Sequence, residues 1–191
     1  MTGELCRVSL RDRLVAAGLE ILDEHGIEEL TLRRVAARAG VSHAAPAHHF
    51  GSLAGLQDAI AIRGFVRLRD NLLLIEESLP GDIPPYERLS RINQGYLDFS
   101  TAQSGLFRMM FSRARHVDPA LQQAASETWA VLERATAAFI PPDAQETVRT
   151  AIWAMTHGYA VLGLNEPRPN APQTAAPFDD LLRLLLRPED A

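Results

Sequence analysis

Apolar residues recur along the chain at spacings of three and four, the period of a helix that buries one face. The first such stripe, over 9–25, is Leu10, Leu14, Ala17, Ile21 and Leu22. Ser9 is placed to cap this helix, with Asp12 three residues on as in a capping box, and Gly26 ends it. Two short helices and a tight turn occupy the stretch from Thr31 to Leu56. Leu32, Val35, Ala36 and Ala39 line one face of the first. Gly40 takes the left-handed conformation that ends a helix at little steric cost, Val41 turns back toward the core, and Ser42 is placed to cap the second. That second helix is about two turns long, tolerates Pro46 in its first turn and closes at Phe50-Gly51. This is the layout of a helix-turn-helix.

From Leu53 the pattern Leu56, Ile60, Phe65, Leu68, Leu72, Ile75 predicts one long helix, broken by Pro80-Gly81-Asp82. The expected division is 1–52 and 53–191, with no flexible linker between the halves. Beyond it no strand-like alternation or repeat occurs. Asp82 or Pro84-Pro85 opens a helix carrying Tyr86, Leu89, Ile92, Tyr96 and Phe99, and Ser104 is placed to cap a shorter one. Asp118-Pro119, a cap followed by Pro in the first turn, starts a helix running to about Phe139. Another follows Pro141-Pro142-Asp143 and reaches about Leu164. Four prolines make 165–177 a loop, and Phe178 to Leu186 form a last short helix before Pro188. The fold class is therefore all-α, an N-terminal three-helix helix-turn-helix domain joined by a long helix to a C-terminal helical bundle.

Composition places these helices in an ordinary soluble protein, with 47% hydrophobic and 23% charged residues among 191. No apolar run reaches the ~18 residues of a membrane span and no signal-peptide pattern opens the chain, so a cytoplasmic location is expected. Cys6 is alone, which excludes an intrachain disulfide. A net charge of −5 argues against nucleic acid for the chain as a whole, yet the charge is uneven. Arg7, Arg11 and Arg13 begin the first helix and Arg33, Arg34 and Arg38 stand on the second. Glu20, Asp23, Glu24, Glu28 and Glu29 gather at the opposite end. His43 and His48 are five apart, off the i, i+4 spacing of two ligands on one helix face, and no metal site is expected. No nucleophile–base pair or phosphate-cradling Gly loop appears, so neither enzyme chemistry nor a cofactor is expected.

Gly26, Thr31, Val35, Ala36, Ala39-Gly40-Val41-Ser42, His49-Phe50 and Leu56 together resemble the TetR family of one-component transcriptional regulators. Farther on, GYLDFSTAQSGLFRMMF and AIWAMTHGYAVL are similar to a TetR subgroup marked by Trp-x3-His-Gly, here Trp153, His157 and Gly158. The resemblance implies that the second short helix enters the DNA major groove, that the first helix braces it, and that the long helix relays a ligand signal. It implies DNA contacts from Thr31, Arg33, Arg34, Ser42, His43, Ala44, Ala45, His48, His49 and Ser52. His43 suits a guanine or a phosphate, and the methyls of Ala44 and Ala45 suit thymine methyls. One of His48 and His49 orients the backbone contact, Phe50 packs inward, and Ser52 caps the next helix toward a phosphate. Two positions depart from the family pattern. Ala47 stands where a phosphate-contacting Tyr is usual, and Leu53 where a Lys is usual. Each loss removes a backbone contact, so weak DNA binding is expected. A TetR-like sensor or interaction protein with weak or lost DNA binding is the second reading.

The resemblance also implies a small-molecule effector and a homodimer. Leu72, Tyr96, Phe99, Phe107, Met110, Phe111, Trp129, Trp153 and His157 either pack a core or line the effector pocket. As lining they suit a mostly apolar ligand with one or two polar atoms. His157, four residues after Trp153, orients a polar ligand group or bonds a backbone carbonyl. The penultimate helix is apolar on two sides, with Ile152, Met155, Tyr159 and Leu162 on one and Trp153, His157, Val161 and Leu164 on the other. Such a helix is expected to be buried on both, the second time by a symmetry mate in a four-helix interface with the last helix. Alternatively, Leu184 and Leu186 cover a monomer's core. The expected function is that of a repressor released from a near-palindromic double-stranded operator by its effector.

Overall fold

The computed structural model describes residues 9–112, 118–137, 140–165 and 175–186, and among them every helix and turn fits an all-α fold without strands. The helices are α1 (Leu10–His25), α2 (Leu32–Arg38), α3 (Ala45–Phe50), α4 (Leu53–Ser78), α5 (Pro85–Ala102), α6 (Ser104–Phe111), α7 (Pro119–Ala137), α8 (Gln145–Val161) and α9 (Phe178–Leu186). Cys6, Arg7, Phe139, Pro188 and most of the expected 165–177 loop lie outside the described residues. No described helix is long and apolar enough to cross a membrane. The chain forms two compact units, one of residues 1–64 and 104–122 and the other of residues 65–103 and 123–191. Both pass through α4, which is continuous across residue 64.

In the first unit α1 packs on α2, α3 and α6. The Ser9 side chain caps α1 by accepting the Asp12 N–H at 3.0 Å, while its own hydroxyl donates to the Asp12 carboxylate at 2.6 Å. Gly26 ends the helix, as expected, by donating its N–H to Leu22 at 3.0 Å. Leu14, Leu22, Leu30, Val35, Leu56 and Ile60 form the fully buried centre. Burying such side chains contributes about 1.5–3 kcal/mol each before chain entropy is charged against it.

In the second unit α5 packs on α8 and α8 on α9. The α5–α8 contact includes a buried polar pair. The Thr156 hydroxyl donates to the Asn93 side-chain oxygen at 2.7 Å, and the Asn93 amide donates to the Leu89 carbonyl at 2.9 Å. Each polar group is satisfied, so the pair fixes the register of the two helices rather than leaving a desolvation cost. Arg134 reaches Glu76 at 3.0 Å, and the Thr128 hydroxyl reaches the Phe65 carbonyl at 3.1 Å, fastening α7 to α4 within this unit. α7 begins as expected, with the Asp118 carboxylate accepting the Ala120 N–H at 2.7 Å and Pro119 in the first turn. α6 differs from expectation in that Ser104 is its first residue rather than its cap.

Candidate nucleic-acid and effector sites

The turn between α2 and α3 is built from local backbone chemistry. Thr31 caps α2 by accepting the Arg34 N–H through its hydroxyl oxygen at 3.2 Å. Gly40 sits at φ 66°, and its position lets the Val41 N–H return to the Ala36 carbonyl at 3.0 Å, closing the helix end. Ser42 does not cap α3, contrary to expectation. α3 starts three residues later, at Ala45, with Ala44 as a cap residue that makes no side-chain bond. The Ser42 carbonyl accepts the Ala45 N–H at 3.0 Å and Pro46 has none to satisfy, so the first turn of α3 leaves little for a side-chain cap to do. Ser52, in contrast, does act as a cap, accepting the Gly55 N–H at 3.2 Å at the start of α4.

α3 therefore has an anchored flank and an open one. Pro46 is buried and Phe50, one turn on, is half-buried under the Arg11 guanidinium, 5.3 Å from its ring centre. Ser42, His43, Ala44, Ala47, His48 and His49 are exposed, and Ala45 is half-buried. The His48 and His49 rings meet edge to face at 5.5 Å on the exposed flank. No group of three or more His, Cys, Asp or Glu among the described residues is arranged to hold a metal ion.

The arginines sort by what already holds them. Arg38 is bound by Glu20 at 3.2 Å and by Glu24 at 2.6 Å, and these carboxylates raise its pKa still further above the ordinary range. Arg13 donates to the Ala39 carbonyl at 2.8 Å, bracing the end of α2. Arg34 is paired with Glu29. Arg33 is exposed and makes no ion pair within the described residues. Of the cations on α2, Arg33 is the one that can meet a phosphate without leaving a carboxylate.

The expected effector residues fall into two groups. Phe107, Met110 and Phe111 belong to α6 in the first unit, where Phe107 and Met110 are buried and Met110 fills the space beside Gly64. Leu72, Tyr96 and Phe99 are buried in the second unit. There an aromatic row joins three helices. Trp129 of α7 meets Trp153 edge-on at 5.8 Å, Trp153 stacks on His157 at 5.6 Å, and His157 Nδ1 lies 2.9 Å from the Tyr96 hydroxyl of α5. His157 thus bonds a phenol, an alternative to both the ligand group and the carbonyl expected. Burial lowers the His157 pKa and raises that of Tyr96. At neutral pH the phenol keeps its proton and the imidazole is neutral, so one of the two donates and the other accepts according to the ring's tautomer.

Comparison with known proteins bears on both units. The family model for bacterial regulatory proteins of the tetR family matches residues 14–60. The model for the tetracyclin repressor-like C-terminal domain matches residues 89–185. The chain belongs to the TetR family. A curated relative, the HTH-type transcriptional regulator BetI 2 of Chromohalobacter salexigens, is 34% identical over 74 residues. That match covers 39% of this chain and 36% of the relative, so it spans about a third of that protein. A protein of unknown function from Rhodococcus sp. RHA1 has the same fold, with a TM-score of 0.75 and 26% identity over 99% of this chain and 96% of its own. A tetR-family regulator from Streptomyces coelicolor superposes with a TM-score of 0.66 and 20% identity, over 92% of this chain and 78% of that one, which shows the shared fold.

Within this TetR chain, several features of the site were not readable from sequence. Gly55 is one. A Cβ there would lie 2.2 Å from the Phe50 carbonyl oxygen, so only glycine lets the end of α3 cross the start of α4. Its place in an apolar helical pattern gave no sign of this. The carboxylate grip on Arg38 spans 14 and 18 residues and left no local signature either. An apolar side of the penultimate helix, in contrast, was anticipated at Trp153 and Val161; in the second unit Trp153 is 40% and Val161 58% exposed, Leu184 on α9 is 74% exposed, and Leu162 is 66% exposed. Leu162 was expected on one side of its helix with Ile152, Met155 and Tyr159, which are buried or half-buried. It follows the last residue of α8 as the C-cap and is turned outward.

Proposed function

We propose that this TetR-family chain is a ligand-responsive DNA-binding transcriptional regulator, a repressor released from a near-palindromic operator by a small, mostly apolar effector. The observation that carries the reading is the outer flank of α3 and its preceding turn. His43, Ala44, Ala47, His48 and His49 stand exposed on a segment whose other flank is anchored by Pro46 and Phe50. Such a segment can enter a major groove without unfolding anything. His43 reads base edges, Ala44 and Ala45 meet thymine methyls, and the His48–His49 edge faces the sugar-phosphate backbone. Thr31 and Ser52 cap their helices through the oxygen alone and keep the O–H to donate to phosphate, as does Ser42. Arg33 supplies the cation, and Arg34 joins it by exchanging Glu29 for a phosphate.

The second copy is seated on the apolar face of α8 and α9. Along α8 this face carries Trp153, Ala154 and Val161, and a Cβ built on Gly158 meets no atom within 4 Å, so a partner helix can approach closely. Residues 1–52 serve DNA and 53–191 serve ligand and dimer, with the Trp-x3-His-Gly signature marking the sensor. Leu72, Tyr96, Phe99, Trp129, Trp153 and His157 form the effector's surroundings, and the Tyr96–His157 pair is its polar end. The two α3 segments then lie one DNA turn apart, ~34–36 Å, in the operator-bound state, and the effector favours a different spacing. A footprint of the purified protein on its own promoter region at low salt tests this. A protected, roughly symmetric site is expected, and no protection anywhere contradicts it.

The loss-of-binding reading rests on Ala47, within α3, and Leu53, the first residue of α4, whose side chains offer a phosphate neither a hydroxyl nor a cation. Binding to random duplex DNA that fails to weaken with added salt, or is absent at low salt, would favour it.

A further inference from the structure

α9 is only nine residues long, too short to persist as a helix without support, so what grips it decides where its leucines point. Phe178 and Leu182, one turn apart, are buried. Phe178 also meets the Tyr159 ring of α8 edge-on at 5.4 Å, and the Tyr159 hydroxyl donates to the Ala176 carbonyl at 3.0 Å. These contacts hold the start of the helix against α8. Beyond Leu182 the residues Arg183 to Leu186 are exposed or half-buried, so the far half of the rod is held less tightly.

A single carboxylate supplies the missing constraint. One oxygen of Asp179 accepts the Tyr86 hydroxyl at 2.9 Å and the Ser90 hydroxyl at 2.8 Å, both from the first turns of α5. The other accepts the Arg183 guanidinium at 2.9 Å from one turn farther along α9, and that guanidinium lies 4.7 Å from the Tyr86 ring centre. Burial alone would push the carboxyl up; the two hydroxyls and Arg183 outweigh it and hold the pKa below the ordinary carboxylate value. Burial and Asp179 together push the Tyr86 phenol up to about 12, so it stays a donor. Asp179 and Arg183 share the flank of α9 that faces α5 and an open groove of about 790 Å³ beside Pro84, Glu87 and Arg91. At 100° per residue, Leu181, Leu184 and Leu185 fall on the opposite flank.

We propose that Asp179 is the positioning residue of the subunit interface, locking the roll of α9 on α5 so that Leu184 and Leu185 face the second copy. The inference rests on the dimer reading above. The knot sits at the edge of an open groove rather than in the core, so removing it frees the helix to roll without opening the fold.

The test combines sedimentation velocity with hydrogen exchange on the full-length chain. Asp179→Ala is expected to weaken dimerisation about tenfold or more and to speed exchange of the 181–186 amides, while α1–α6 amides keep their protection. Asp179→Asn retains an acceptor for both hydroxyls and is expected to recover most of the affinity, which a general loss of stability would not. The same exchange comparison in a Leu184→Arg background, expected to be monomeric, reads the knot without the dimer. Unchanged dimerisation and exchange in Asp179→Ala, or equal losses for Ala and Asn, would overturn the assignment. A wild-type chain that is monomeric throughout removes the dimer reading, and the exchange result in that chain still decides whether Asp179 positions α9.

Discussion

α3 and α8 each bury one flank and expose the other, and their outer flanks are opposites. On α3 the exposed side chains are small or polar, His43 and Ala44 in the preceding turn, then Ala47, His48 and His49. On α8 the first turns expose Glu146, Thr147 and Thr150, but from Trp153 onward the exposed side chains are Trp153, Ala154 and Val161, with Leu162 just past the helix and Leu184 and Leu185 on α9 also exposed. A polar, small-featured ridge loses little by standing in water and suits a wet, charged partner. A surface holding an exposed Trp, Val and several Leu gains from being covered, and suits an apolar partner such as a second copy of itself. Helix geometry is the same in both places. The partner is written in the outer flank alone.

The sharpest way to break that contrast is to put a charge on the apolar flank. Val161→Asp is expected to weaken the dimer on the order of 100-fold while leaving the thermal midpoint of the monomer nearly unchanged, since Val161 is largely exposed. Analytical ultracentrifugation across a concentration series reads the first effect and calorimetry the second. DNA affinity is expected to fall in step, because half-sites are then bound one at a time. A dimer as tight as wild type would mean that this flank faces water.

A smaller effect is expected where α3 is held rather than where it touches. In Gly55→Ala the new methyl meets the Phe50 carbonyl, which cannot move without dragging the end of α3. Chemical denaturation should show a loss of about 1–3 kcal/mol, with weaker DNA binding because α3 is displaced. Wild-type stability in that variant would show that the α3–α4 crossing has slack.

The smallest effect concerns pH and the aromatic row. Burial depresses the His157 pKa below its ordinary value of 6.5, so the unfolded chain binds the proton more readily than the folded one. The neutral ring's contribution is complete above 6.5 and is lost as pH falls through the depressed value. In the protonated ring both nitrogens are donors, so Nδ1 can then only donate to the Tyr96 hydroxyl oxygen. Unfolding followed by circular dichroism should therefore show stability declining as pH drops below 6.5, and the decline should be shallower in His157→Gln. Equal slopes for the two proteins would remove His157 from the account.

What could be read in the sequence was what depends on near neighbours. Ser9, Gly40, Ser52 and Asp118 act on near neighbours, through a cap or a positive φ, so a one-dimensional reading sees the whole interaction. The aromatic row was half legible. Trp153 and His157 share a helix face at i, i+4, whereas Tyr96 lies 61 residues away from its hydrogen-bond partner. Asp179 was invisible for the same reason, its α5 partners being 89 and 93 residues distant. Ser42 misled because its residue type suits a cap, while the first turn of α3 spends one N–H on the Ser42 carbonyl and lacks another at Pro46. The exposure of Leu162 followed from where α8 stops, which hydrophobic period alone does not locate.

The claim on which the rest depends is that the outer flank beginning at His43 touches bases. Selection of bound sequences from a randomised duplex pool, run in parallel for wild type, Arg33→Ala and His43→Ala, tests it most directly. The account predicts a two-fold symmetric motif for wild type, the same motif at uniformly lower affinity for Arg33→Ala, and an altered base preference for His43→Ala. An identical motif and affinity in all three proteins would contradict it.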